Sequence, residues 1–191
     1  GCFPAASVVR LEDGTTTTIS RLRAGDRVLA RDSSTGELIY SEVLTFLDRD
    51  ENATRSFVRV HLSNNGTVTA TEAHLLLKAS GATVFAGDVV PGDRLLVPSG
   101  TATIVRVEHV IDKGVFAPLT KEGNLVVDGA VVSCYAAFKS QTVAHWALAP
   151  LRAWLAMIPR PSPPEGVHPY VKTLYSVARH ILPTNMFYEV K

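Results

Sequence analysis

An all-β fold is predicted for most of this chain by three observations: short segments rich in Val, Thr and Ile, turn dipeptides between them, and an eight-residue motif that occurs twice. Segments 7–11, 57–62, 67–71, 103–110 and 124–132 read as strands, because β-branched side chains suit a pleated, half-buried surface and no helical period runs through them. Asp13-Gly14, Thr35-Gly36, Asn65-Gly66 and Ser99-Gly100 supply the turns. The motif is LRAGDRVL at 22–29 and VVPGDRLL at 89–96, a Gly-Asp-Arg turn feeding a strand, with a β-rich stretch after each copy (39–46 and 103–111). Duplication explains it better than two chance turns. A duplicated β-unit predicts pseudo-two-fold symmetry, with a site between the halves.

Near residue 139 the pattern changes, which divides the chain into a β-domain over 1–138 and an appendage over 139–191. Val143, Trp146, Ala147, Leu151, Trp154, Leu155 and Ile158 step by three and four, the spacing of one helix face. Pro150 should kink or split that helix. The Pro-rich stretch 159–166 reads as a linker. Residues 169–182 offer a second amphipathic helix, with Tyr170, Leu174, Val177, Ala178 and Ile181 on one side. The pair is either a helical hairpin packed on the β-domain or an apolar unit that docks on lipid.

Composition narrows the function. Apolar residues are 46% of the 191, which is enough for a real core. Charge is nearly balanced, 19 Lys plus Arg against 18 Asp plus Glu, without a basic run, so nucleic acid is not an expected partner. No stretch of about 18 uncharged apolar residues occurs. Cys2 and Cys134 are too few for a disulfide scaffold and too far apart for a CxxC motif, and no His/Cys cluster has zinc-ligand spacing; no metal or cofactor is expected. The abrupt opening, Gly1-Cys2-Phe3-Pro4, reads as a piece of a longer precursor.

Three places could carry chemistry. A thiol at Cys2 can attack the carbonyl of Gly1, whose missing side chain leaves the approach open, and turn the amide into a thioester. That shift is uphill, so the fold must strain the bond, stabilise the oxyanion and protonate the departing amine. Thr71-Glu72-Ala73-His74 supplies a hydroxyl for the amide and an imidazole for proton transfer near neutral pH, provided the segment ends a strand and turns. Asp48, placed after a strand in Phe46-Leu47-Asp48-Arg49-Asp50, is a candidate general base for a hydroxyl, with Arg49 and Asp50 as a solvated ion-pair neighbourhood. Taken singly, each has a plainer structural explanation, as do His61, His109, His145, His168 and His180.

Together these stretches resemble the C-terminal processing domain of hedgehog proteins over nearly the whole chain. The most specific are GCFP at 1–4, GDRVLA at 25–30, YSEVLTFLDRD at 40–50, TATEAHLLL at 69–77, GVFAPLTKEGNLVV at 114–127, SCYA at 133–136 and AHWALAPLR at 144–152. The resemblance implies a Hint fold, a flat pseudo-two-fold β-disk, carrying a C-terminal helical sterol-recognition appendage. It implies that Cys2 is the nucleophile at the Gly1–Cys2 bond and that Thr71 and His74 assist the N-to-S shift. Asp48 would then activate a sterol hydroxyl. The implied product is an upstream signalling fragment, joined in cis, that leaves esterified to cholesterol, which is a substrate and not a cofactor. Trp146, Leu151, Trp154, Leu155, Tyr170 and Leu174 become the sterol-region candidates. Cys134 becomes a candidate redox or active-site partner of Cys2, since an oxidising compartment would permit a transient disulfide. Also implied are a monomer, a membrane surface met through the C-terminal region, and passage through the endoplasmic reticulum towards secretion. The Asn52-Ala53-Thr54 and Asn65-Gly66-Thr67 triplets suit that route.

The sequence departs from the family at Glu72 (often Pro or Ala), Asp128 (commonly Asn) and His168-Pro169-Tyr170 (usually His-Trp-Tyr). An intein is the nearest rival, but the β-domain ends at VVSCYAAF without the His-Asn pair that a second cleavage needs. A non-catalytic lipid- or protein-binding β-module is the rival of another class.

Overall fold

Two long antiparallel strands, β4 (Leu38–Leu62) and β9 (Gly100–Thr120), form the spine of the computed structural model, which describes residues 1–136 and, beyond them, Ala149, Pro150, Ala153, Gly166, Pro169 and Thr173. Around the spine lie β1 (Val8–Arg10), β2 (Thr16–Thr18), β3 (Arg27–Arg31), β5 (Thr67–Ala70), β6 (His74–Leu77), β7 (Thr83–Phe85), β8 (Arg94–Val97), β10 (Asn124–Val127) and β11 (Ala130–Ala136). They pair as β3-β4-β9-β8 with β5 beside β4, as β10-β11-β6-β7, and as the ribbon β1-β2. The only helical segments within 1–136 are the short 3-10 turns at Ile19–Arg21 and Ala86–Asp88.

The repeat extends well beyond the eight-residue motif. Val8 faces Thr18, Val9 faces Thr17 and Arg10 faces Thr16; at one constant displacement, Leu75 faces Phe85, Leu76 faces Val84 and Leu77 faces Thr83. Main-chain bonds follow suit. Ser7 N–H donates to Pro4 at 3.1 Å as His74 N–H donates to Thr71 at 2.9 Å, and Ser20 to Ala5 (3.3 Å) as Gly87 to Glu72 (3.0 Å). Even the isolated bridge between Leu11 and Val28 has its copy between Lys78 and Leu95. In each motif the Asp carboxylate, Asp26 or Asp93, accepts the N–H three residues back, closing the turn that the glycine opens.

Phe3, Ile19, Leu22, Phe46, Phe57, Leu75, Leu76, Leu95, Ile104, Phe116, Leu119 and Tyr135 fill the interior, essentially without solvent contact; β6 is buried on both faces, so Leu75 and Leu76 are both inside. Each such side chain stabilises the fold by about 1.5–3 kcal/mol through removal from water. Asn124 locks the β10–β11 hairpin to the first repeat: its Oδ1 accepts from Arg31 N–H and its Nδ2 donates to Arg31 O, both at 2.8 Å.

Two expectations change. The run 124–132 is not one strand but two, because Asp128 and Gly129 both take positive φ (51° and 83°) and make a tight hairpin turn. Residues 46–50 do not follow a strand; they lie inside β4. Beyond residue 136, Ala149, Pro150 and Ala153 have helical backbone, as do Pro169 and Thr173, within the segments predicted as helices. The 138/139 boundary and Trp146, Leu151, Trp154, Leu155, Tyr170 and Leu174 lie outside the described residues, as do His145, His168 and His180. No helix among the described residues is long and apolar enough to cross a membrane.

Candidate active site

The first arm of the repeat delivers Cys2. Its N–H donates to Thr71 Oγ1 at 2.9 Å, and its carbonyl accepts from Thr71 N–H at 2.9 Å. Phe3 exchanges both main-chain bonds with Phe116 (2.8 and 3.0 Å), and Ala5 N–H reaches Lys113 O at 2.9 Å. That approach requires Gly114: at φ +85° an added Cβ would stand 2.6 Å from the Ala5 Cβ. The backbone around Cys2 is therefore held on both sides, and its side chain is buried.

The second arm delivers the imidazole. β5 ends at Ala70, Thr71 to Ala73 turn, and β6 begins at His74, so one turn aims the hydroxyl of Thr71 and the ring of His74 at the same place. His74 is 1% exposed and packs against the Phe3 ring with centroids 4.3 Å apart. Nε2 lies 2.8 Å from the carbonyl of Ser133, which accepts only, so the ring carries its hydrogen there. Nδ1 is left buried, with a lone pair and no hydrogen-bond partner among the described residues. Burial first, and then the positive charge of the Gly1 amine, push the imidazole pKa down to about 3, although the carbonyls of Ser133 and Gly1 pull the other way. At neutral pH the resting ring is uncharged. Its free nitrogen accepts a proton before it can give one.

Asp48 reaches the site through a fault in the spine. The β4–β9 register slips between the Phe46–Pro118 and Asp48–Ala117 pairs. Such a bulge re-aims the side chain beside it. The Cys2 thiol lies 3.7 Å from Asp48 Oδ2, a distance at which S–H donates to a carboxylate. Burial first, then the Asp48 charge and this hydrogen bond, push the thiol pKa up to about 11. The sulfur therefore rests protonated and oriented.

Arg49 is not the solvated neighbour expected. Its guanidinium covers the rings of Phe46 and Phe116 (5.0 and 5.5 Å) and donates to the carbonyls of Ser20 and Leu22 as well as to Glu51. The carbonyl of Arg49 accepts from Gly166 N–H at 2.6 Å, which puts Gly166 against the residue next to Asp48. Asp50 caps its own turn, accepting from Asn52 and Ala53. His61 pairs with Glu108 across the β4–β9 spine, and His109 of β9 pairs with Glu72 in the turn between β5 and β6. Cys134 lies buried on β11, its sulfur 3.4 Å from the Thr120 hydroxyl, and neither it nor Cys2 is in a disulfide. No group of three His, Cys, Asp or Glu side chains among the described residues is arranged to hold a metal ion. Sequence reasoning missed Arg49, Gly114 and the Ser133 carbonyl.

A thiol next to a peptide carbonyl, a hydroxyl holding the amide nitrogen, a buried imidazole and a carboxylate together sit on a duplicated β-disk. That combination defines the class: the chain belongs to the Hint module family, whose model matches residues 1–183. It is 37% identical over 209 residues to Indian hedgehog B protein of Danio rerio, which covers 98% of this chain and 50% of that protein. It is 35% identical to Protein hedgehog of Drosophila persimilis, over 96% of this chain and 44% of the relative. The chain thus spans about half the length of the curated relatives it matches, and the hedgehog resemblance read from the sequence is borne out. The β-disk itself is shared with inteins. The gp41-1 intein superposes with a TM-score of 0.58 at 18% identity, over 69% of this chain and 97% of the intein. The Ssp DnaB mini-intein variant M86 reaches 0.61 at 16% identity, over 69% of this chain and 92% of the intein.

Proposed function

We propose that this chain cleaves the Gly1–Cys2 bond by an N-to-S acyl shift and passes the acyl group to the hydroxyl of cholesterol. The observation that carries the reading is the clasp on the Cys2 amide. Thr71 Oγ1 accepts its N–H at 2.9 Å while Asp48 holds the adjacent thiol. Both ends of the nucleophile are fixed before any substrate arrives.

Sulfur attacks the Gly1 carbonyl carbon, a C–S bond forms, and the carbonyl π electrons become the oxyanion. The C–N bond then breaks, and nitrogen must gain one proton to leave as the Cys2 amine. Sulfur has just lost one. The balance closes without an outside acid, and Asp48 Oδ2 and the His74 Nδ1 lone pair are the two sites at the junction able to carry that proton. A thioester joins Gly1 to Cys2.

Acylation removes the S–H that occupied Asp48. The carboxylate is then free to take the proton of an incoming alcohol, whose oxygen attacks the thioester and expels the Cys2 thiolate. The ester is more stable than the thioester, so this step draws the first one forward. Gly166 on the Arg49 carbonyl supports bringing the acceptor in from the C-terminal region. Trp146, Leu151, Trp154, Leu155, Tyr170 and Leu174 are the residues proposed to receive the sterol there, against a membrane surface. An upstream signalling domain in cis and a secretory route complete the reading; Asn52 and Asn65 are both exposed, as glycosylation would require. A transient Cys2–Cys134 disulfide belongs to the same reading and would block the nucleophile until reduced.

The test joins a reporter domain to Gly1 and measures the mass of the released fragment with and without sterol and dithiothreitol. A sterol ester and a thiol adduct are expected. A junction intact under every condition would mean a binding module, and hydrolysis alone would mean no sterol transfer.

A further inference from the structure

The geometry points to Asp128 as a positioning residue for the Cys2 nucleophile, acting through Ser7 and Val8. The inference rests on the cleavage reading above and extends it to a side chain remote from the reacting atoms.

Ser7 occupies in the first arm the place that His74 occupies in the second, each with its N–H bonded three residues back, to Pro4 and Thr71. Each also sends its side chain to the same β10–β11 hairpin. His74 reaches the Ser133 carbonyl at 2.8 Å, and Ser7 Oγ donates to Asp128 Oδ2 at 2.8 Å. Asp128 Oδ1 further accepts from Val8 N–H at 2.6 Å, and Asp128 N–H donates back to Val8 O at 2.9 Å. One hairpin thus grips both arms, and its two grips add to the direct Cys2–Thr71 clasp in fixing how thiol and imidazole are placed. The imidazole arm is held by a backbone group. The thiol arm is held by a main-chain bond, Asp128 N–H to Val8 O, and by the two carboxylate bonds, and only the latter can be removed by substitution.

Asp128 is built for this position. Its φ of 51° is one that Asp and Asn tolerate better than other residues with a Cβ. Its carboxyl faces Ser7 and Val8 from the first arm, and the nearest charge acting on it is Arg59 of β4, itself paired with Asp112 at 3.8 Å. Burial holds its pKa above the ordinary carboxylate value. A carboxyl kept in that setting with both oxygens on one strand serves as a clamp. The amide of Asn could match it, with one oxygen on Val8 and the NH₂ on Ser7.

The test uses the full chain with a reporter joined to Gly1 and compares first-order rates of thiol-induced cleavage for wild type, Asp128→Asn, Asp128→Gly and Ser7→Ala. Glycine removes both carboxylate bonds, keeps the main-chain bond to Val8 O and accepts the positive φ at this position, so the variant should fold. Rates are read well below the melting temperature of every variant. Asp128→Gly should slow cleavage about tenfold or more, as misplacement of a reacting atom does. Ser7→Ala should fall between, and Asp128→Asn should stay within about threefold of wild type. A purely structural residue would lower the melting temperature of Asp128→Gly and leave its rate unchanged; that result overturns the assignment, as does failure of Asn to restore the rate. If wild type itself never cleaves, the cleavage reading falls and takes this assignment with it. If wild type cleaves and Asp128→Gly cleaves equally, only the assignment falls.

Discussion

Cys2 and Asp48 are joined by a sulfur-to-carboxylate contact of 3.7 Å, and that contact exists because β4 carries one residue more than β9 between Phe46 and Asp48. The contact works against ionisation of the thiol, since a neighbouring negative charge favours the neutral form. Orientation is gained at the expense of acidity, and the two steps of the reaction feel that exchange differently.

Asp48→Asn should therefore separate the steps. Losing the negative charge lowers the Cys2 pKa, so thiol-induced cleavage persists and its pH profile moves to lower pH. Sterol ester formation, deprived of its proton acceptor, should drop about a hundredfold or more. Chromatography of the two products across a pH series checks this. Equal loss of both products would assign Asp48 to the first step alone. Cys2→Ala should abolish both.

Thr71→Val removes the hydroxyl that accepts the Cys2 N–H while keeping the side-chain shape. A buried N–H left without its partner costs about 1–3 kcal/mol, so cleavage should slow roughly tenfold or more, and Thr71→Ser should recover most of it. Single-turnover rates decide; an unchanged Thr71→Val rate would remove the clasp from the mechanism.

His74 predicts an acid limit to stability. Its pKa is about 3 in the fold against 6.5 for an ordinary imidazole, so between those values the unfolded chain binds a proton that the folded chain refuses. Stability from this group is whole above pH 6.5 and falls with acidification by up to about 1.4 kcal/mol per unit. Urea titrations from pH 7 to pH 4 should show a steeper fall in wild type than in His74→Gln. Parallel curves would mean that the ring titrates normally.

Gly114→Ala should be among the most damaging small substitutions. The added methyl would lie 2.6 Å from Ala5 Cβ and 2.8 Å from the Phe116 ring, at a φ of +85°. Overpacking and backbone strain together should cost about 2–4 kcal/mol, read as a shift of the urea midpoint. Cleavage measured on the folded fraction should fall as well, because the displaced strand carries Cys2.

Asp128→Asn should stabilise the chain at neutral pH. Burial raises the Asp128 pKa above 3.8, so above its folded pKa the fold holds a desolvated charge that an amide lacks. The gain should shrink as the pH falls and vanish below 3.8, where the carboxyl is neutral folded or unfolded. Melting temperatures of the two proteins across that range test the sign. A less stable Asn variant at neutral pH would show that the charge itself holds the clamp.

Much of the architecture was legible from local chemistry. β-branched runs and glycine turns marked the strands, and the paired Gly-Asp-Arg motifs announced the duplication, because a closed Asp turn is a local device. The Asp128-Gly129 turn was hidden inside an apolar run, although the dipeptide itself is a hairpin signal. Asp48 could be named from the resemblance but not placed, since a bulge is a property of two strands in register and one strand's sequence does not hold it. Arg49 misled because a guanidinium looks solvated until two rings and two carbonyls are found around it. The Ser133 carbonyl, which sets the tautomer of His74, carries no side-chain signal at all.

The duplication has a final consequence. Thiol and imidazole descend from corresponding arms of two copies, so neither copy alone contains a reaction. Severed between the arms, the chain would yield two silent pieces whose recombination alone restores the chemistry.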